Sequence, residues 1–363
     1  MPRPDAPPEL LALLERPEAL AQMTRQGQWP FKGYRVSSAG PVRLELSGGV
    51  VEDTDMDLLQ FSALRLANVE FRDCALSQLQ ATAPMLVNVV FAQCQIEGVR
   101  LRGGTIRDMT VSGGLFADVT VADATIDGMT LTAAEASAIG LEQVRLKRAT
   151  ATDTRLSSVQ LEECHIESLT CTGCTLHQVR ASGGVFDTVR ITGGEVVQGE
   201  WSHVVVGTLA LHDVVVRSFR FGEGSVDECT IAGGSDVTGL AMIAQTVGRV
   251  AITSVKALVE PSFIGCVVSE VSMAETAVHG PRFARSAVEH GVRFEACTVE
   301  GLDLAGASLT LGHRGGKLAG PQQVDAARIG AWTLAQCELD ASVKLVGTPA
   351  ALANVDAALM SRR

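Results

Sequence analysis

The chain has 363 residues, 46% of them hydrophobic and only 4% aromatic, and sets 30 Lys and Arg against 41 Asp and Glu for a formal charge of −11. That balance argues against nonspecific binding to nucleic acid or to an anionic membrane, and it suits a basic partner. No apolar run reaches the length of a membrane span, and the opening MPRPDAPPEL lacks a signal peptide's apolar core, so the expected compartment is the cytoplasm.

Residues 1–33 read as a helical N-terminal cap. Pro8 to Glu15 carries Leu10, Leu11, Leu13 and Leu14, and Pro17 then opens a second short helix with Leu20 and Met23. Trp29 and Phe31 follow as plugs for an apolar end. Tyr34, Val36, Leu44 and Leu46 place the start of the repeating region before residue 45.

From Phe61 to Asp236 every fifth residue is apolar in 35 of 36 cases, running Phe61, Leu66, Phe71, Leu76 and onward to Ile231. A period of five fits neither a helix nor an ordinary strand, so the unit is a short repeat that buries one large side chain per pentapeptide. A second column, two residues earlier, is small or apolar: Val69, Cys74, Leu79, Val89, Cys94 and their successors. Gly104, Gly114, Gly184, Gly194 and Gly234 share it, each preceded by another Gly where a tight corner needs positive φ. Residues twenty apart form ladders, Thr110, Thr130, Thr150, Thr170 and Thr132, Thr152, Thr172, Thr192, expected to exchange hydroxyl hydrogen bonds on a solvated face.

The register slips by single residues near 237–240, 253–262 and 289–292, and the solenoid region is taken as 34–311. Residues 312–323, rich in Gly and basic residues, read as a protruding loop, and Val324, Ile329, Leu334 and Leu339 put final strands in 324–346. Residues 347–363 read as a C-terminal helix: Thr348 and Pro349 begin it and Leu352, Val355 and Leu359 share one face. Although the length alone would allow two or three domains, unbroken repetition argues for one elongated domain with small caps, which exposed strand ends require.

Small or apolar, any, large apolar, polar, polar: this register resembles the pentapeptide-repeat family. The resemblance covers most of the chain, although Val, Cys, Leu and Gly replace the family's usual Ala at the small position. It implies an all-β fold, a right-handed quadrilateral parallel β-helix whose large and small columns point inward. Fourteen or so turns at about 4.8 Å would give a rod on the order of 65 Å. The C-terminal helix with Leu352, Val355 and Leu359 is then either a simple cap or, as in some members of that family, a homodimer contact.

Cys164, His165, Cys171, Cys174 and His177 have the look of a zinc cluster. The register sends the cysteines inward onto successive walls and the histidines outward, so these are core residues and no metal, cofactor or catalytic set is expected. His212 beside Asp213 and His290 beside Glu289 read as solvated pairs, and no phosphate loop, dinucleotide fingerprint or HExxH motif occurs. A period of five also excludes hexapeptide acyltransferases, and short even turns argue against a polysaccharide-cleaving β-helix, the minor alternative here.

The expected role is a noncatalytic scaffold or adaptor that binds another protein. Long degenerate proteins of the resembling family accompany contractile, type VI-like secretion machinery in bacteria, which implies an accessory, adaptor or cargo role there. The alternative implied by the resemblance is mimicry of duplex DNA towards gyrase or topoisomerase, but the 21 acids and 13 bases between residues 61 and 236 leave no face a clean acidic stripe. Arg145, Lys147 and Arg148 cluster as a candidate basic surface patch.

Overall fold

The computed structural model describes residues 3–38, 40–320, 327–340, 343 and 354–355. The chain is a parallel β-solenoid of about 15 turns with few helices. It falls into two units, residues 1–180 and 181–363. Among the described residues, no helix is long and apolar enough to cross a membrane.

In the first unit, helices α1 (Pro8–Leu11) and α2 (Pro17–Arg25) flank a 3-10 turn at Ala12–Glu15, as the two prolines predict. Both helices start on Pro because a first-turn N–H has no intrahelical acceptor to lose. α2 buries Leu20 and Thr24 against the strand Val42–Glu52. Gly49 is what lets it close in: a Cβ there would lie 2.2 Å from the Thr24 carbonyl oxygen. Trp29 and Phe31 are buried in edge contact at 5.2 Å, and the Trp29 indole donates to Thr54 Oγ1 at 2.7 Å. The repeating strands begin at Arg35–Ser37, which pairs in parallel with Asp55–Asp57.

Successive turns register at twenty residues, as in Phe116↔Ile96 and Phe116↔Ala136. The large column is buried at Phe71, Phe91, Val111, Leu131, Ala151 and Cys171 in turn, so a period of five in sequence becomes one continuous apolar interior. Positive φ, expected at the Gly-Gly pairs, also recurs two residues after the large position with ordinary side chains: Asp73 (53°), Asn88 (51°), Asp118 (47°) and Asp213 (54°). Asp and Asn tolerate this region best. The corner N–H is engaged by the next turn, from Asp73 to Ala92 O and from Gln93 to Ser112 O.

The threonine ladders stack as expected, Thr110↔Thr130↔Thr150↔Thr170. Their hydroxyls, however, do not bond to one another among the described residues. Side-chain ladders form at the corners instead, Asn88 Nδ2 to Asn68 Oδ1 at 2.9 Å and Gln143 Nε2 to Glu163 Oε2 at 2.8 Å. A long, rotatable side chain at a corner spans the roughly 4.8 Å between turns more readily than a short β-branched hydroxyl held in its rotamer.

In the second unit the first slip falls earlier than 237–240. His212 pairs with Ala232 at twenty residues, but Val215 pairs with Asp236 at twenty-one, so the extra residue lies at 233–235. Asp236, inward by a strict count of five, is therefore turned out, and Val237 is buried. Ser235 fills the corner, accepting from the Val214 N–H and donating to Ala232 O. The slips expected at 253–262 and 289–292 are present: Phe263 and Val268 hold the second register and Phe294 the third.

Two sequence boundaries are corrected. Residues 312–319 are not a loop: they continue the strand Ser308–Ala319, pairing Phe294↔His313 and Val299↔Leu318. His313 takes an inward position four residues after Leu309 rather than five, and this masks the apolar period. Gly320 follows as a bend, and the remainder of that segment, 321–323, lies outside the described residues. Final strands follow at Arg328–Ala335 and Glu338–Leu339. At the C-terminus Asn354–Val355 form a strand paired with Thr333 and Leu334, so Val355 is not on a helix. An open parallel edge offers more backbone hydrogen bonds than a short isolated helix would gain. Leu352 and Leu359 lie outside the described residues.

Candidate docking surface

The interior is chemically quiet. All nine cysteines are free and buried. The thiols of Cys74, Cys94, Cys164, Cys266 and Cys297, all at small positions, donate to the carbonyl of a large residue one turn earlier, as from Cys94 to Phe71 O at 3.4 Å, Cys266 to Met242 O at 3.1 Å and Cys297 to Met273 O at 3.3 Å. Thr54 and Ser286 do the same to Phe31 O and Phe263 O. The cysteines thus close a corner carbonyl, a backbone task that a hydroxyl also performs. Accordingly Cys297→Ser should leave thermal stability nearly unchanged, whereas Cys297→Ala should lose about 1 kcal/mol in denaturant melts. Equal losses would show that packing alone matters at this position.

Burial pushes the Cys229 thiol up to about 12, with Glu228 adding to the shift, so it is not a thiolate nucleophile. Cys171 and Cys174, which the register puts on different walls, are close enough that the Cys174 thiol, together with burial, raises the Cys171 pKa. Among the described residues no three His, Cys, Asp or Glu side chains are grouped to hold a metal ion. A cavity of about 110 Å³ inside the first unit is lined by apolar side chains, including Phe61, Leu86, Met109 and Phe116. It offers no polar group to orient a substrate.

The Arg145, Lys147 and Arg148 cluster is not a free basic patch. Arg145 pairs with Glu167 at 2.8 Å, Lys147 with Asp127 at 3.2 Å, and Arg148 with Asp127 at 3.1 Å and Asp108 at 3.6 Å. The hydrogen bonds from Lys147 and then Arg148 hold the Asp127 carboxyl below its ordinary range. The register explains the pairing, because Asp127 stands one turn before Lys147. His212 pairs with Asp213 at 3.0 Å as expected, and His203 with Glu223 at 2.7 Å.

The outward positions of the second unit contain the surface that the charge pattern did not reveal. Reading one residue before the large column, Val185 pairs with Val205, Val205 with Ser225, Ser225 with Thr246, and Thr246 with Val267. Val185, Val205 and Val267 are 40%, 43% and 49% exposed. Ala287 continues this uncharged column. From residue 185 on, the same strands carry Asp187, Asp227, Glu228 and Glu270 against Arg190 and Arg249, and Glu270 pairs with Arg293 at 3.1 Å. Gly207 and Gly248 pack closely against the preceding turn, where a Cβ would meet the Asp187 or Asp227 backbone oxygen at 2.6 or 2.2 Å. Three aligned valines cannot be buried by their own turns, because the pleat points them away from the core. The signal was present in sequence as a Val just before an inward Phe or Val, but it aligns only once the slips to twenty-one residues are placed.

A second charge-free surface lies in the first unit, where Thr110 and Ser112, Thr130 and Thr132, Thr150 and Thr152, and Thr170 and Thr172 flank successive inward residues. It carries no large apolar side chain that could anchor a partner.

No family model, no curated protein and no solved structure matches this chain.

Proposed function

We propose that the protein is a noncatalytic scaffold that binds another protein, and that the valine column of the second unit is its docking surface. The observation that carries this reading is the register-aligned exposure of Val185, Val205 and Val267 beside a surplus of carboxylates. Exposed apolar groups in a row mark interaction surfaces, and the carboxylates favour a partner segment with apolar and cationic side chains. Nine free thiols suit the reducing cytoplasm. An accessory, adaptor or cargo role in a contractile secretion apparatus is the specialisation that the pentapeptide-repeat resemblance implies. Gyrase-directed mimicry has less support, because it calls for a continuous carboxylate stripe and the acids on this face alternate with valine, glycine and hydroxyl side chains.

The test compares captured proteins, identified by mass spectrometry, between the wild type, a Val185→Asp/Val205→Asp/Val267→Asp variant and a Thr130→Asp control, at low and moderate salt. One protein should be held by the wild type and the control, released by the triple variant with its circular dichroism unchanged, and weakened by salt. Equal retention by all three would remove the valine column as the docking surface. Recovery of gyrase, with inhibition of supercoiling, would replace the scaffold reading by mimicry.

A further inference from the structure

His313 is the one inward histidine among the described residues, 1% exposed in the strand Ser308–Ala319. It stacks between Phe294 of the preceding turn, ring centroids 5.9 Å apart, and Leu334 of the following one. Neither Nδ1 nor Nε2 makes a hydrogen bond of good geometry; the Cys297 backbone beside the ring favours its protonated form, but burial outweighs that contribution. A neutral imidazole holds one donor and one acceptor, so both are spent on an apolar site. A phenylalanine ladder, as at Phe263 and Phe283, would fill the same space without that penalty.

The charged groups nearby offer no relief. On Val292–Glu300, Arg293, Glu295 and Glu300 are exposed, and the inward Cys297 spends its thiol on Met273 O. Arg314 and Lys317 on the histidine's own strand are exposed. On Arg328–Ala335 the sole titratable residue is Arg328, at the strand's start, and Asn354–Val355 has none. Among the described residues no carboxylate is placed to stabilise an imidazolium, and a positive ring is better solvated outside the core.

We propose that His313 is an acid-sensitive latch: its protonation releases the strands from residue 308 onward from Val292–Glu300 and uncovers the apolar end around Phe294. Burial lowers the pKa of His313 in the folded chain. The unfolded strand therefore binds the proton more readily than the folded one. The latch is fully closed above the unfolded value, about 6.5, and loosens as pH falls below it towards the lower folded value.

Hydrogen exchange on the full chain at pH 7.5 and 5.5, corrected for intrinsic rates, tests this. Residues 308–319 and 328–335 should open up to about tenfold more often at pH 5.5, the limit for a single histidine taken one unit below its free value. Residues 205–232 should not change. In His313→Phe, and in His313→Leu should the larger ring distort the turn, the acid increment should vanish while the strands remain protected. An acid increment that survives in either folded variant, or a wild type indifferent to pH, would overturn the latch.

Discussion

Phe186→Asp should abolish the cooperative unfolding of residues 181–363, leaving a chain without a thermal transition in that unit. Phe186 is 1% exposed and meets Trp201 edge-on at 5.2 Å, within a cluster that includes Phe219 and Phe221. A carboxylate there loses several kcal/mol of apolar burial and must either bury an unpaired charge or take up a proton, a combined loss above about 5 kcal/mol. Each turn leans only on its neighbours, so the damage spreads from the mutated turn to those stacked on it. Thr130→Asp, on an outward column, should change stability by less than about 0.5 kcal/mol. Denaturant melts of the two variants decide the matter. If Thr130→Asp were the more damaging, the inward and outward columns would be interchanged.

The second large effect is expected at Gly199. Phe219 stands in the small column, where the repeat calls for Val, Cys or Gly, and it pairs directly with Gly199 one turn earlier. A Cβ at residue 199 would lie 2.2 Å from the Phe219 ring. Gly199→Val should destabilise the second unit by about 3 kcal/mol through overpacking. Phe219→Ala alone should lose about 3–5 kcal/mol by opening a cavity. Combining Gly199→Val with Phe219→Ala should be less damaging than the sum by 1 kcal/mol or more, about the coupling expected of residues in contact. Strict additivity in a double-mutant cycle would mean that the two positions do not share one volume.

The same pair shows where sequence reading reached its limit. A period of five was legible because burial acts on each pentapeptide separately, so Phe61 to Ile231 announce themselves one at a time. Gly199 and Phe219 look like unrelated departures until the twenty-residue register makes them neighbours. The N-terminal helices were legible from their prolines, a local cause. The strand at 312–319 was not, because its inward residue in the large column's place is a histidine beside three glycines, which composition assigns to a loop. The valine column needed both the register and the position of the slip at 233–235, and a count of charges carries neither. The basic cluster at 145–148 failed for the same reason, since its carboxylate partner Asp127 is a whole turn away.

The twenty-residue pairing has a consequence for how such a chain can change length. The interior repeats every five residues, and the outer columns repeat every twenty. Inserting five residues after Val226 would keep apolar side chains inside throughout, yet every later outward residue would move to a different column, and Val267 would no longer follow Val205. Inserting twenty would preserve the column and lengthen it by one rung. Folding thus tolerates five-residue duplications that the alignment of the outward columns does not. The alignment of Val185, Val205 and Val267 through a slip of one residue is information that the core does not require.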